Sequence, residues 1–282
     1  MKRHLGALVE LCLLFTALNF TGTISAAAQE QMNGVTPPPK VLQIIVETLK
    51  AGQSGGPHMK TEAAFVQAFS DAKWPQHYLG MDALSGKQRA VFFVGYDSFD
   101  AWQKDTDATQ KNATLSAALD NASIADGALL ESLESNAYVF RPDLSLRAPV
   151  DIPHMRYMEI SIYNIRPGHE HDWETLVKMY MAALEKVPNA HWATFEKMYG
   201  TTTSGARFIA ISPMKSLAEV DQELLESKAF DAATTEEQKQ KIRDLTASTT
   251  ESTESHLFQF NPKMSYVPDS WSKADPSFWN QK

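Results

Sequence analysis

An α+β fold made of two copies of one β-α-β-β-α-β unit is predicted by three features of the sequence. The phrase ESNAYVFRPDLS (residues 134–145) returns as ESHLFQFNPKMS (residues 254–265), keeping its Glu, its first Ser, its last Phe, its Pro and its final Ser. Three further segments recur upstream in the same order. The differences in length between the copies fall where loops are expected, at residues 52–57 in the first copy and 199–206 in the second. Length changes confined to loops are the mark of a repeated fold.

The first strand is VLQIIVETLKAG (residues 41–52), which lies over YMEISIYNIRPG (residues 157–168). Leu42, Ile44 and Val46 alternate with Gln43 and Glu47, as Met158, Ile160 and Ile162 alternate with Glu159 and Ser161. A period of two with one apolar face is a strand signal. A Gly-bearing loop and a helix follow. In the second copy Trp173, Leu176, Val177, Tyr180, Leu184 and Val187 make a wide apolar stripe, with Asp172 and Glu174 in the first turn. In the first copy the stripe is Phe65, Ala68, Phe69 and Ala72. HYLGMD (residues 77–82) lies over HWATFE (191–196), and AVFFVGYDSF (90–99) over FIAISPMKSL (208–217). Each is a pair of strands joined by a Gly-containing turn. An Ala- and Glu-rich helical region, residues 99–133 and 217–246, precedes a last strand that ends in the repeated phrase.

This order is that of the ferredoxin-like unit, whose two helices cover one sheet face. The expectation places the helices over Leu42, Ile44 and Val46, and over Met158, Ile160 and Ile162. Gln43, Ile45 and Glu47, with Glu159, Ser161 and Tyr163, are then left to meet the other copy. Two bare faces in one chain cover each other. The expected architecture is therefore two antiparallel sheets packed face to face as a pseudo-dimeric α+β barrel, with repeat 1 over residues 41–148 and repeat 2 over 154–267. The pattern resembles the dimeric α+β-barrel superfamily in a tandem fused form. That superfamily includes the antibiotic-biosynthesis monooxygenase, NIPSNAP and haem-binding chlorite dismutase types. The resemblance rests on element order and repetition from Val41 to Tyr266, and no motif identifies a subfamily.

The ends bound the rest. MKRH, an apolar run from Leu5 to Phe20 and an Ala-x-Ala site at residues 26–28 read as a cleavable signal peptide over residues 1–28, so the protein is expected to be exported, periplasmic or secreted. The run carries Glu10 and is too short to span a bilayer, so no membrane span is expected after cleavage. Cys12 lies within it, which excludes thiol catalysis and Cys-ligated metal in the mature chain. The net charge of −8 disfavours nucleic acid as a partner. Residues 29–40 end in three prolines and read as a stiff spacer. Residues 268–282 hold Trp271, Phe278 and Trp279, which are expected to dock on the body or on a partner.

Candidate chemistry is sparse. His77-Tyr78 and His191-Trp192 open the second strand of each copy, either as paired sites or as strand ends with polar tips and packed rings. Glu159 and Tyr163, with Glu47, are placed on the seam between the copies, where a carboxylate could move protons or simply hydrogen-bond across it. Phe208 and Phe258, with Phe92, Phe93, Tyr138, Phe140 and Phe260, are strand aromatics, core first and pocket lining second. No metal is expected; His169 and His171 in GHEHDWE would be the pair to examine. There is no Gly-rich phosphate loop, no nucleophile elbow and no His-Glu-x-x-His.

The resemblance implies a small hydrophobic or aromatic molecule held in a cleft of the fused barrel, with cofactor-free monooxygenase chemistry. His191, Glu159 and Tyr163 would be its catalytic groups, and Trp192, His77, Tyr78, Phe208 and Phe258 its lining. Haem is the alternative cofactor, as in the chlorite dismutases, with His191 or His171 as proximal ligand. A non-catalytic envelope or secreted assembly protein is the third reading, and self-association is left open.

Overall fold

A computed structural model describes residues 35–185, 187–200 and 204–281. The expected signal peptide, residues 1–28, and the first part of the spacer lie outside the described residues. The first half runs β1 (Val41–Leu49), α1 (Gly56–Asp71), β2 (Tyr78–Ala83), β3 (Arg89–Tyr96), α2 (Phe99–Lys111), α3 (Ala113–Gly127) and β4 (Leu130–Phe140). The second half repeats that order as β5 (Tyr157–Ile165), α4 (Glu170–Leu184), β6 (Ala193–Tyr199), β7 (Arg207–Met214), α5 (Ala218–Ala233), α6 (Glu236–Thr249) and β8 (Thr250–Phe260). Two short helices, α7 (Asp269–Ala274) and α8 (Pro276–Trp279), form the tail. Among the described residues no helix is long and apolar enough to cross a membrane.

Each long helical region is two helices, because a capping side chain restarts the helix midway. Asn112 accepts from the Leu115 amide and opens α3. Thr235 and Gln238 form a reciprocal capping box at the start of α6. The last strands begin at Leu130 and Thr250, so residues 130–133 are strand where helix was expected.

All eight strands join in one closed antiparallel barrel, in the order β1-β3-β2-β8-β5-β7-β6-β4. The halves therefore meet by hydrogen-bonded edges as well as across the interior. Met81 to Ala83 pair with Phe260 to Phe258, and Ala137 to Phe140 pair with β6. Closure removes the exposed edges that an open sheet would leave.

The expected faces are inverted. Leu42, Ile44, Met158 and Ile160 point into the barrel, packed with Met81, Phe195, Phe258 and Phe260. The helices instead cover Ile45, Ala90 and Phe92 in the first half, and Ile165, Phe208 and Tyr163 in the second. The interior of this eight-stranded barrel is filled by packed side chains, so it takes the uninterrupted apolar face. The face carrying Gln43, Glu47, Glu159 and Ser161 borders the helices, where side chains reach partners or solvent: Gln43 bonds Ser135, and Ser161 bonds Glu159 and Ser255.

The repeated phrase is a reciprocal clasp. Ser145, at the end of the first copy, accepts from the Thr194 amide of the second half (2.9 Å), and Ser265 accepts from the Gly80 amide of the first (2.8 Å). Leu146 bridges Trp192, and Tyr266 bridges Tyr78. Gly80 has to be Gly, since a Cβ there would collide with the Met264 carbonyl. The tail docks in cis and closes the barrel end formed by residues 150–156. Trp279 is 5 % exposed, lies beside Phe260 and donates to the Pro153 carbonyl (2.8 Å). Arg156 pairs with Asp275 and covers the Phe278 ring.

Candidate metal centre

Beneath the helices of the first half, four ionisable side chains from three elements converge. Glu47 stands near the end of β1 and points to the helical layer, as its in-plane neighbour Ile45 does. His58 and Glu62 lie on α1 four residues apart, a spacing that puts both on one helix face. Pro57 at the head of α1, after the left-handed Gly55, fixes where that face begins. Asp126 lies in the last turn of α3, where the helix carbonyls already make the potential negative.

All four are buried, at 7 % exposure for Glu47, 0 % for His58, 3 % for Glu62 and 2 % for Asp126. His58 Nε2 is 2.9 Å from Glu47 Oε2, 3.5 Å from Asp126 Oδ1 and 3.8 Å from Glu62 Oε1. One ligand atom from each residue fits within 4.8 Å of all the others. An ion about 2.1 Å from each donor sets cis donors roughly 3 Å and trans donors roughly 4.2 Å apart, so these separations need only small adjustments. The Thr61 hydroxyl lies 2.7 Å from Asp126 Oδ1 and steadies that carboxylate.

The electrostatics of the cluster are unbalanced without a cation. Among the ion pairs of the described residues, no Lys or Arg joins these carboxylates. Burial pushes the Glu62 carboxyl up to about 9, helped by the Glu47 and Asp126 carboxylates, a hydrogen bond with Asp126, and Asp82. Burial also raises Glu47, with Asp126 acting in the same direction and His58 against it. Glu62 Oε1, His58 Nδ1 and the Tyr78 hydroxyl are buried with no hydrogen-bond partner. Buried polar atoms left unpaired, next to a Glu62 carboxyl whose ionisation burial opposes, describe a site that a cation would satisfy.

The second half is an internal control. Glu47 pairs with Ala90 in the ladder, and Tyr163 pairs with Phe208 at the same register position. There the space under the helices is filled by Tyr163, Trp173 and Phe208, with Trp173 stacked on Phe208 at 4.2 Å. The fold can fill this layer with aromatic rings. The polar set in the first half is not required by the architecture.

The residues expected to form one site are scattered. His191 is bonded through Nδ1 to the Asn189 carbonyl (2.8 Å) and through Nε2 to the Pro213 carbonyl (2.9 Å). Trp192 donates to the Leu144 carbonyl, and His77 stacks on Tyr266 at 4.8 Å, so both belong to the clasp. Glu159 and Tyr163 are under the second half's helices and not on a seam, because the faces are inverted. Phe208 lies in that same layer, whereas Phe258 is inside the barrel, on the opposite side of the sheet. Only Tyr78 borders the cluster, in the layer with Met59 and Phe92. His169 and His171 face different carboxylates, Asp172 at 3.3 Å and Glu174 at 3.8 Å. His171 is 91 % exposed at its side chain.

Haem finds no fit at the two histidines expected to ligate it. Both nitrogens of His191 are engaged by carbonyl groups, and His171 points to solvent. The layer under α4 is already filled by Trp173, Leu176 and Phe208.

The candidate metal-ligating set was missed because its members are far apart in sequence. His58 has no other histidine near it in the sequence, and Glu47 was assigned to the wrong face. The available signal was the His-x-x-x-Glu spacing at the head of α1.

No family model matches this chain, and no curated protein matches it. Solved structures do. A protein of Fusobacterium nucleatum subsp. nucleatum, provisionally named a monooxygenase, aligns with a TM-score of 0.52 at 9% identity, covering 79% of this chain and 93% of its own. An anthrone oxidase-like protein aligns at 0.47 and 13% identity, covering 78% and 91%. A mutant chlorite dismutase from Candidatus Nitrospira defluvii aligns at 0.43 and 10% identity, covering 86% and 98%. What the first of these likenesses establishes is the fold alone, a mixed α+β architecture around a closed antiparallel barrel of eight strands.

Proposed function

We propose that this protein binds one metal ion under the helices of its first half, through Glu47, His58, Glu62 and Asp126. The observation that carries the reading is the meeting of three carboxylates and an imidazole, all buried, within 4.8 Å and without a basic partner. The donors are hard oxygens with one borderline nitrogen, and there is no thiolate, which favours manganese, iron or zinc over copper(I). Three carboxylates with a neutral imidazole leave one negative charge around a divalent ion and none around a trivalent one. The ion would join β1, α1 and α3, so its binding free energy is also stability of the first half.

The test is metal analysis of protein purified without chelator, followed by calorimetric titration of stripped protein with Mn2+, Fe2+ and Zn2+. The expected result is one ion per chain, with affinity reduced at least tenfold in Asp126→Asn and in His58→Ala. A folded, stripped protein that takes up none of the three ions sinks the reading.

Two expectations from the sequence stand beside it as proposals. The basic-then-apolar start directs export, which N-terminal sequencing of the mature protein checks: a chain beginning upstream of residue 26 speaks against it. The halves descend from one duplicated unit, a reading supported by their shared element order, ladder register and clasp.

A further inference from the structure

One helix of the second half turns an apolar face to solvent. None of the described side chains of α5 is buried, and every described one from Asp221 to Ala229 is exposed. The helix is held near its ends, where Val220 is half-buried and Phe230 stacks on Tyr180 of α4 at 5.2 Å. Between them Leu224 and Leu225 are 68 % and 57 % exposed, and Leu217 at the N-cap is 41 % exposed. The first half shows the same helix with a polar outer face. There α2 is held by Trp102, stacked on Tyr96 at 5.4 Å, and by Asp105, which accepts from Trp74 Nε1 and from the Tyr96 hydroxyl. Its exposed middle carries Gln103, Lys104, Thr106 and Asp107. A lone surface leucine is ordinary, whereas two adjacent ones on a helix whose counterpart is polar mark a contact.

The charges beside the leucines select the partner. Asp221, Leu224, Leu225 and Lys228 are spaced so that they share one face of α5. The acid lies one turn before Leu225 and the base just under one turn after it. Laid parallel on a second copy, this face would set acid against acid and base against base. Laid antiparallel about a two-fold axis at Leu225, it sets Asp221 of each copy against Lys228 of the partner subunit, with the leucines between. In that arrangement Leu217 comes level with Ala233 of the partner subunit, since each lies eight residues, about 12 Å, from Leu225. Ala233 walls a groove of about 430 Å³ between α4 and α6, lined also by Met179, Ala182, Ala183 and Ile242. Projecting leucine and apolar groove thus belong to one surface of one chain, as a contact between identical faces requires.

We propose that α5 is a self-association surface, on which a second copy of this chain pairs its own α5 antiparallel through Leu224 and Leu225, with Asp221 and Lys228 matched across the axis. The contact belongs to the second half and does not depend on the metal reading. A single helix pair falls short of the roughly 800 Å² per partner of a standard interface, so a reversible dimer of micromolar affinity is expected.

Sedimentation velocity of the purified protein, from about 1 to about 200 μM, reads the contact. Monomer is expected at the low end and dimer at the high end. Leu225→Gln should raise the dissociation constant at least tenfold, and Asp221→Lys or Lys228→Asp severalfold, with circular dichroism confirming the fold of each. The variant carrying both charge changes rebuilds the antiparallel pairs in reverse and should recover most of the wild-type affinity. All of these positions are exposed, so the substitutions spare the core. A monomer throughout the range, a dimer that Leu225→Gln leaves unchanged, or a double charge variant no better than either single one overturns the proposal. So does a monomer that sediments with phosphatidylcholine vesicles, which would assign the leucines to a lipid surface.

Discussion

The buried carboxylates predict that metal-free protein becomes less stable as pH rises from 7 to 9. In the folded state Glu62 titrates at about 9, against 4.5 for the exposed group. Between those values the folded chain keeps a proton on Glu62 that the unfolded chain has released. Stability falls with pH wherever the folded state binds more protons. The slope is about 1.4 kcal/mol per pH unit near pH 7 and falls to half of that by pH 9, so the interval removes about 2 kcal/mol, and Glu47 moves in the same direction. For a chain of this size that is roughly 4–8 °C in melting temperature. Lys197, lowered from 10.5 by burial, opposes the fall toward the alkaline end, and comparison with a Glu62 variant removes its part. Burial lowers His77, so its contribution is complete above its ordinary value of 6.5, and the ion-paired Asp143 and Asp275 are ionised in both states at pH 7. The assay is thermal unfolding by circular dichroism in chelator, at intervals from pH 7 to 9, for wild type and Glu62→Gln. The wild-type melting point should drop and the variant's should drop less, while saturating Mn2+ should restore the wild type most at high pH. A flat or rising profile in the stripped wild type, or an equal fall in Glu62→Gln, refutes the account of the cluster.

Other perturbations separate the cluster from the scaffold. Glu62→Leu should abolish metal binding and stabilise stripped protein by about 1–4 kcal/mol at pH 8, because an apolar group replaces a buried ionisable one; urea unfolding reads this directly. Phe208→Ala removes the ring stacked on Trp173 and should cost about 3–5 kcal/mol with unchanged metal stoichiometry, since that layer belongs to the other half. Trp279→Ala should cost a similar amount by opening the stopped end of the barrel, seen as an earlier unfolding midpoint. Ser265→Ala leaves the buried Gly80 amide without its acceptor and should cost about 1–3 kcal/mol in the same assay.

The order of elements was legible because periodicity is local. Leu42, Ile44 and Val46 announce a strand whatever they touch, and the strand aromatics Phe92, Phe258 and Phe260 prove to be core. Which face of that strand turns to the helices was not legible. Alternation separates two faces and does not say which is inside; here closure of the barrel decides, and closure depends on pairings such as Met81 with Phe260 that span the whole chain. That one inversion moved Glu47 from a supposed seam to the helical layer. Asp126 was hidden for a different reason. It sits in a polar and alanine-rich helix with little amphipathic signal, so nothing local distinguishes its buried face from its exposed one. The histidine-aromatic pairs were recognised as equivalent, and the repeated serines were seen. Their common purpose, holding the opposite half, needed the crossing bonds to Gly80 and Thr194.

The contrast between the halves turns the cluster from a curiosity into an argument. If four ionisable groups were simply how this fold fills the space under its first two helices, the second half would carry polar groups at matching positions. At the position of Glu47 it carries Tyr163, paired with Phe208 where the first half has Ala90. Aromatic packing there needs no proton, no cation and no unpaired atom. The first half instead keeps two carboxylates above their ordinary titration range and leaves Glu62 Oε1 without a partner. Burying such groups costs several kcal/mol per charge unless something compensates them. Compensation by protons alone would hold only while the carboxyl groups stay neutral and would weaken through the alkaline range. A bound cation compensates at any pH where the carboxylates can ionise, and the donors are already close to the spacing that it requires. The proposed cation, which only the first half has the donors to hold, would account for the asymmetry between two otherwise matching halves.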